Sequence, residues 1–428
     1  MTLKQKFKNA IRRGTGETHI LIKENPTVDF SKEIIEAALF NFAYDQQSEG
    51  GREIYISELI ELSDQKSKIL PMIYEALKTE ENDDWSIEQL FSIAAIYAKK
   101  GDERARKAVY ENYYKYAISG SDWCGQDAVV EIDGLEGLKF VAETKGKFLE
   151  KNVEEWEDSF FVDNFQKENP QIDVYGELRR FAENNSHIKT YLEMIEGRKF
   201  SVRKPTGKTY GYKLIKGIIN DGKRKYLPRF AGTQLSEKDL EKLANDFLKE
   251  TKKKKQVLYL SLFSDVEFPL GYRPILDIAE FTHSNKHRLK FFAVEALRFF
   301  ESAVVRDFAI QNLHSFGSPY NFAELLIKNY QKGDWKLLKK IAEESKDKDI
   351  IHQLACSYID IYEANPSKEC KEPLEIIYSK TNCGIHRTDL VQILIDNKVL
   401  SDQIKKEIRY DCSNDTRKVW EKLKPKSI

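Results

Sequence analysis

The feature that most constrains this chain is a helical spacing of apolar residues that halts every ten to twenty residues at Gly, Asp, Ser or Pro. In WSIEQLFSIAAIYAKKGDERARKAVYENYYKY, Ile87, Leu90, Ile93, Ala94 and Tyr97 mark one face of a helix that should stop at Gly101. Asp102 is placed to cap a second helix whose inward face is Ala105, Ala108 and Val109. With almost no loop between them, the spacing predicts an αα-hairpin.

The same grammar recurs downstream. NFAELLIKNYQKGDWKLLKKIAEE offers a capping box (Asn321, Glu324), an apolar stripe and a break at Gly333-Asp334 before a second helix. KFFAVEALRFFESAVVRDFAIQNL sets Ala293, Ala296 and Leu297 before a turn at Glu301-Ser302, then Val305, Arg306, Ala309 and Ile310. Sliding the chain by 200 residues lays Ala105-Arg106 on Val305-Arg306, and Val109 on Ala309. Imperfect helix pairs of this length predict an all-α protein, an α-solenoid in which each pair buries its apolar face against its neighbours.

A small-residue helix, a tight turn and a second helix carrying Val305, Arg306 and Ala309 resemble the HEAT repeats of bacterial HEAT-repeat proteins. The resemblance is clearest over residues 257–345, extends over 17–195 and weakens from 346 onward. It implies two HEAT-like arrays, 1–196 and 233–428, forming a long curved surface that binds without chemistry. Such arrays generally bind proteins and, less often, nucleic acid; one branch resembles DNA glycosylases that excise alkylated bases. Between the arrays, residues 197–232 lose helical periodicity and gather Gly, Pro and basic residues. RKFSVRK and TYGYKLI about a PTGK turn predict a small β-hairpin or an irregular insertion there.

Composition narrows the partners little. Lys+Arg and Asp+Glu both number 69 in 428 residues, so no whole-protein field points to nucleic acid or an acidic membrane. No apolar run is long enough for a signal peptide or a membrane span. Five scattered cysteines argue against a disulfide framework, and a reducing cytoplasm is the expectation.

Each candidate for chemistry has a structural reading beside it. In DGLEGLKFVAETKGK, Asp133, Glu143 and Lys145 have the order of a metal-dependent nuclease. Leu135, Leu138, Val141 and Ala142 instead predict a helix capped by Asp133 and Glu136 and ended at Gly146, on which Glu143 and Lys145 diverge. PTGKT (205–209) ends like a phosphate-binding loop, but Val202 stands where its first glycine belongs, so a basic turn is the reading. Cys370, Cys383, His386 and Cys412 offer one C-x-x-H pair where zinc ordinarily needs two tight pairs. His283 and His287 fall in a polar turn. No nucleophile elbow or histidine cluster is legible, so no enzyme, cofactor or metal is expected.

The segment 197–232 carries eleven basic residues against one acid, Asp221. Cations for phosphates and aromatic faces for bases suit a single-stranded nucleic acid, with Arg198, Lys199, Arg203, Lys204, Lys208, Tyr210, Tyr212, Lys223, Arg224, Lys225 and Arg229 as the contacts. Residues 150–177 hold nine acids against two lysines, so the other readings are pairing of the two blocks within the protein, a solvated linker, or an acidic protein partner for the basic block. The first functional expectation is a non-enzymatic scaffold with a protein partner, contacted through Arg106, Arg306 and Trp335. The same arginines would serve as salt bridges between repeats.

Overall fold

The computed structural model describes residues 1–79, 83–119, 123–197, 210–224, 227–228, 230–281, 288–313 and 319–423. Among these the regular structure is helical throughout, with no strand, and no helix is long and apolar enough to cross a membrane. The chain divides into two compact units. The first comprises Met1–Lys204, Asn382–Gly384 and Lys405–Ile428; the second comprises Pro205–Thr381 and Ile385–Ile404.

The first unit opens with α1 (Leu3–Arg13), α2 (Glu17–Glu24), α3 (Ser31–Leu39), α4 (Gln46–Glu49) and α5 (Glu53–Leu62). It continues through α6 (Lys66–Thr79), α7 (Asp84–Lys99), α8 (Glu103–Ser119), α9 (Gln126–Asp133) and α10 (Leu135–Lys151). Successive packing runs along two rows: α1, α3, α6, α8 and α10 in one, α2, α5, α7 and α9 in the other. The predicted hairpin is α7–α8. Gly101 turns between them at φ +90°, and Asp102 accepts the Arg104 and Ala105 amides at 3.0 and 3.3 Å. Apolar residues from both rows meet in one core that holds Phe7, Ile34, Leu59, Ile73, Leu90, Ile93 and Val109, each fully buried. Burial of each such large side chain contributes about 1.5–3 kcal/mol, far more than helix propensity.

The stretch DGLEGLKFVAETKGK is helical, with local differences from expectation. Asp133 ends α9 instead of capping α10, whose N-cap is Gly134 without a side-chain bond. Gly146 lies inside α10 because a Cβ there would stand 1.8 Å from the His187 carbonyl oxygen, at the close approach to the helix Ser186–Gly197. Gly137 similarly admits the Val129 carbonyl, 2.4 Å from the position of a Cβ. Lys145 is buried against Glu157 at 2.6 Å, and Glu143 pairs with Lys147 at 2.7 Å.

The segment 405–423 belongs to this first unit. The Cys412 amide donates to the Gly14 carbonyl at 2.8 Å, and a Cβ on Gly14 would meet Cys412 Sγ at 2.3 Å. A Cβ on Gly16 would fall 1.9 Å from the Glu407 carbonyl oxygen. Two glycines thus form the seat of this segment, and Gly14 also adopts φ +75°, which disfavours any side chain. Residues 382–384 join through Arg52, which donates to Asn382 O, and through the Gly384 amide, which donates to Glu49.

In the second unit the helix Ala303–Asn312 begins after the predicted turn at Glu301-Ser302, with the Ser302 side chain accepting the Val304 amide. The Asn321–Glu324 capping box does not form: Pro319–Ala323 is already helical and Glu324–Leu326 tightens to a 3-10 turn. Tyr212–Asp221 is a helix, so TYGYKLI does not supply the second strand of a hairpin. Its buried Ile215 and Ile219 are four apart, the helical spacing that the surrounding glycines and lysines obscure. Residues 198–209, including RKFSVRK and PTGKT, lie outside the described residues.

Candidate functional site

In the first unit, α2, α5 and the end of α7 converge with residues 409–417 around an open cavity of about 700 Å³. Helical spacing puts His19 and Lys23 one turn apart on α2, and Ile54, Glu58, Glu61 and Leu62 toward the same opening from α5. Arg417 forms a bidentate pair with Glu58 at 2.6 and 2.8 Å, and its Nε donates to the Asp411 carbonyl. His19 Nε2 lies 3.1 Å from the same carboxylate, and the imidazole stacks on Tyr410 at 4.9 Å with 9° between planes. Lys23 donates to the Tyr410 hydroxyl at 2.8 Å.

The electrostatics follow from these partners. Burial pushes the Glu58 carboxyl up, but hydrogen bonds from His19 and Arg417 outweigh it and hold the group down at about 2. Burial lowers His19 below the ordinary histidine value despite Glu58. The His19 Nε2 faces Glu58, and its Nδ1 lies 3.3 Å from Thr18 Oγ1, whose hydroxyl donates to the Thr15 carbonyl at 3.1 Å. Lys100 and Lys66 both reach Glu61, at 3.0 and 2.9 Å. Facing outward are the exposed Ile54 and Leu62, with Lys23, Arg409 and the Tyr410 ring at the rim.

The residues singled out in the sequence fall elsewhere. Arg106 pairs with Asp133 at 2.7 Å, and Arg306 holds Asp334 through two bonds of 2.6 and 2.7 Å while donating to Asn329 O at 2.8 Å. Trp335, the first residue of the helix Trp335–Glu344, is half-buried. Of the basic segment, Arg198, Lys199, Arg203, Lys204, Lys208, Lys225 and Arg229 lie outside the described residues. Tyr210 is half-buried, Tyr212 donates to Asp246 at 2.8 Å, and Lys223 and Arg224 are exposed, Lys223 within 3.5 Å of Asp221. In the acidic block, Glu157 pairs with Lys145, Glu177 with Arg180, and Glu150 with His187. His283 and His287 also lie outside the described residues.

The four-residue set of Cys370, Cys383, His386 and Cys412 is not what assembles around His386. Cys370 is buried at the start of the helix Lys371–Lys380, Cys383 is buried, and Cys412 faces Gly14. His386 instead meets Cys356, Sγ to Nε2 3.3 Å, and His352, ring centroids 4.5 Å apart. The sequence signal for this was the i,i+4 pair His352 and Cys356 in IHQLACSY.

The fold and the cavity define an all-α protein with an open, charge-rimmed groove in its first unit. Comparison with protein families, with curated proteins and with solved structures found no significant match.

Proposed function

We propose that this chain is a non-enzymatic binding protein whose helix pairs, similar to HEAT repeats, form a solenoid that holds a protein partner in the groove above α5. The observation that carries the reading is the exposed pair Ile54 and Leu62 set among Lys23, Arg409 and Tyr410 at the mouth of the cavity. Apolar anchors ringed by Arg and Tyr suit a partner segment that offers an aliphatic side chain beside a carboxylate. The five free thiols fit work in a reducing compartment such as the cytoplasm.

The test is in-cell crosslinking of the full chain in its native host, comparing wild type with Ile54→Asp/Arg409→Ser/Tyr410→Ala. A partner captured by the wild type and lost from the triple variant, with far-UV circular dichroism unchanged, is the expected result. A partner captured equally by both places the contact elsewhere and defeats the proposal.

A second reading, nucleic-acid binding through 197–232, is favoured by the exposed Lys223 and Arg224. It calls for anisotropy with labelled DNA and RNA over a salt series, against a Ser variant at Arg198, Lys199, Arg203, Lys204, Lys223, Arg224, Lys225 and Arg229. Binding that weakens steeply with salt and collapses in the variant supports it; no binding at low salt removes it.

A further inference from the structure

We propose that His352, Cys356 and His386 bind one zinc-class divalent ion through three protein ligands, with a fourth position open to water. The site lies in the second unit, apart from the groove, and does not depend on the binding role assigned to it. His352 and Cys356 stand four apart on the helix Lys348–Ala364, one above the other on a single face. His386 comes from the first turn of the helix Gly384–Asp396. The three ligand atoms all lie within 4.8 Å of one another, and Cys356 Sγ is 3.3 Å from His386 Nε2.

Tetrahedral zinc with Zn–S of about 2.3 Å and Zn–N of about 2.0–2.1 Å sets its donors about 3.3–3.6 Å apart. The Cys356–His386 separation of 3.3 Å is of that size, and His352 completes a set held within 4.8 Å. The donor types select the metal: one thiolate and two imidazoles suit zinc, cobalt or copper and reject calcium and magnesium. All three residues are half-buried, so an ion can enter from solvent.

Composition makes a chance gathering a poor account, since the whole chain has only seven histidines and five cysteines. Two carboxylates lie one turn along the same helices, Asp360 beyond Cys356 and Asp389 beyond His386; burial raises both, and the His386 imidazole opposes it. Outer carboxylates of this kind orient ligating histidines and hold metal-bound water. On binding, the Cys356 thiol passes its proton to the buffer and both imidazoles coordinate as neutral rings. The ion would add a covalent-strength tie between the helices Lys348–Ala364 and Gly384–Asp396 beside the Cys356–His386 and His352–His386 contacts.

The experiment uses the full chain, stripped of metal with a chelator and titrated with cobalt(II). Expected are one cobalt per chain, tetrahedral d–d bands and a cysteinate-to-cobalt charge-transfer band, all displaced by zinc. Cys356→Ser should abolish the charge-transfer band, and His352→Gln and His386→Gln should each weaken binding at least tenfold. As a measure that needs no variant, zinc should slow alkylation of Cys356 in the wild type, read by peptide mass spectrometry. A charge-transfer band that survives Cys356→Ser overturns the assignment, as does a Cys356 alkylation rate indifferent to zinc.

Discussion

Arg306 and Arg106 occupy matching places in the 200-residue echo, and each reaches an aspartate 28 or 27 positions ahead. Their surroundings differ enough to set different energies. Arg306 and Asp334 are 15% and 10% exposed and joined by two short bonds, with a third from Arg306 to a backbone carbonyl. Replacing Arg306 with Met leaves the Asp334 carboxylate with the Gln331 amide, at 2.8 Å. Breaking a fully buried pair costs about 3–5 kcal/mol; with this residual exposure we expect about 2–3 kcal/mol for Arg306→Met. Arg106 is 42% exposed and makes one bond to Asp133, so solvent screening should hold Arg106→Met below about 1 kcal/mol. Double-mutant cycles with Asp334→Asn and Asp133→Asn isolate the pair terms, expected near 2 kcal/mol and below about 0.5 kcal/mol. The assay is urea unfolding by circular dichroism, with amide exchange over residues 303–312 and 335–344 to localise the loss. Equal coupling at the two sites, or the larger value at Arg106, would falsify the burial reasoning.

Three further outcomes follow from the structure. Gly146→Ala drives a Cβ into the His187 carbonyl and should cost about 3 kcal/mol, whereas Gly217→Ala, in open space within a helix, should gain about 0.5–1 kcal/mol; opposite shifts in melting temperature are the readout. Burial pushes the Glu295 carboxyl up to about 7, with Glu324 adding to the effect and Arg298 opposing it. The native state therefore holds a proton the unfolded chain releases: the contribution is full below pH 4.5 and is lost as pH rises through 7. Glu295→Gln should flatten that slope and stabilise the protein at pH 8 by up to about 3 kcal/mol, measured as urea midpoints at pH 5 and pH 8.

Local signals were legible and distant ones were not. The α7–α8 pair, with Gly101 and Asp102 at its turn, follows from periodicity and capping alone. Gly146 looks like a helix end from its neighbours, because the reason for it, the His187 carbonyl, lies 41 residues on. His386 was read with the cysteines nearest in sequence, while the Cys356 and His352 it meets are set by where two helices cross. The groove above α5 was invisible for the same reason: Glu58 and Arg417 are 359 residues apart, and nothing in NDTRKVWEKL announces where it docks.

That docking sets a timetable. The seat formed by Gly14 and Gly16 is made early, but the residues that fill it, Glu407 to Cys412, are synthesised almost 400 residues later. Some 360 further residues emerge after α5, which at about 5–20 residues per second is a wait of roughly 20–70 s on the ribosome. Through that interval α1, α2 and α5 hold a bare apolar and polar surface that later pairs with partners up to 387 residues away. Contacts of such span are slow to close, so this surface stays open long after the local contacts of α1 to α10 have formed.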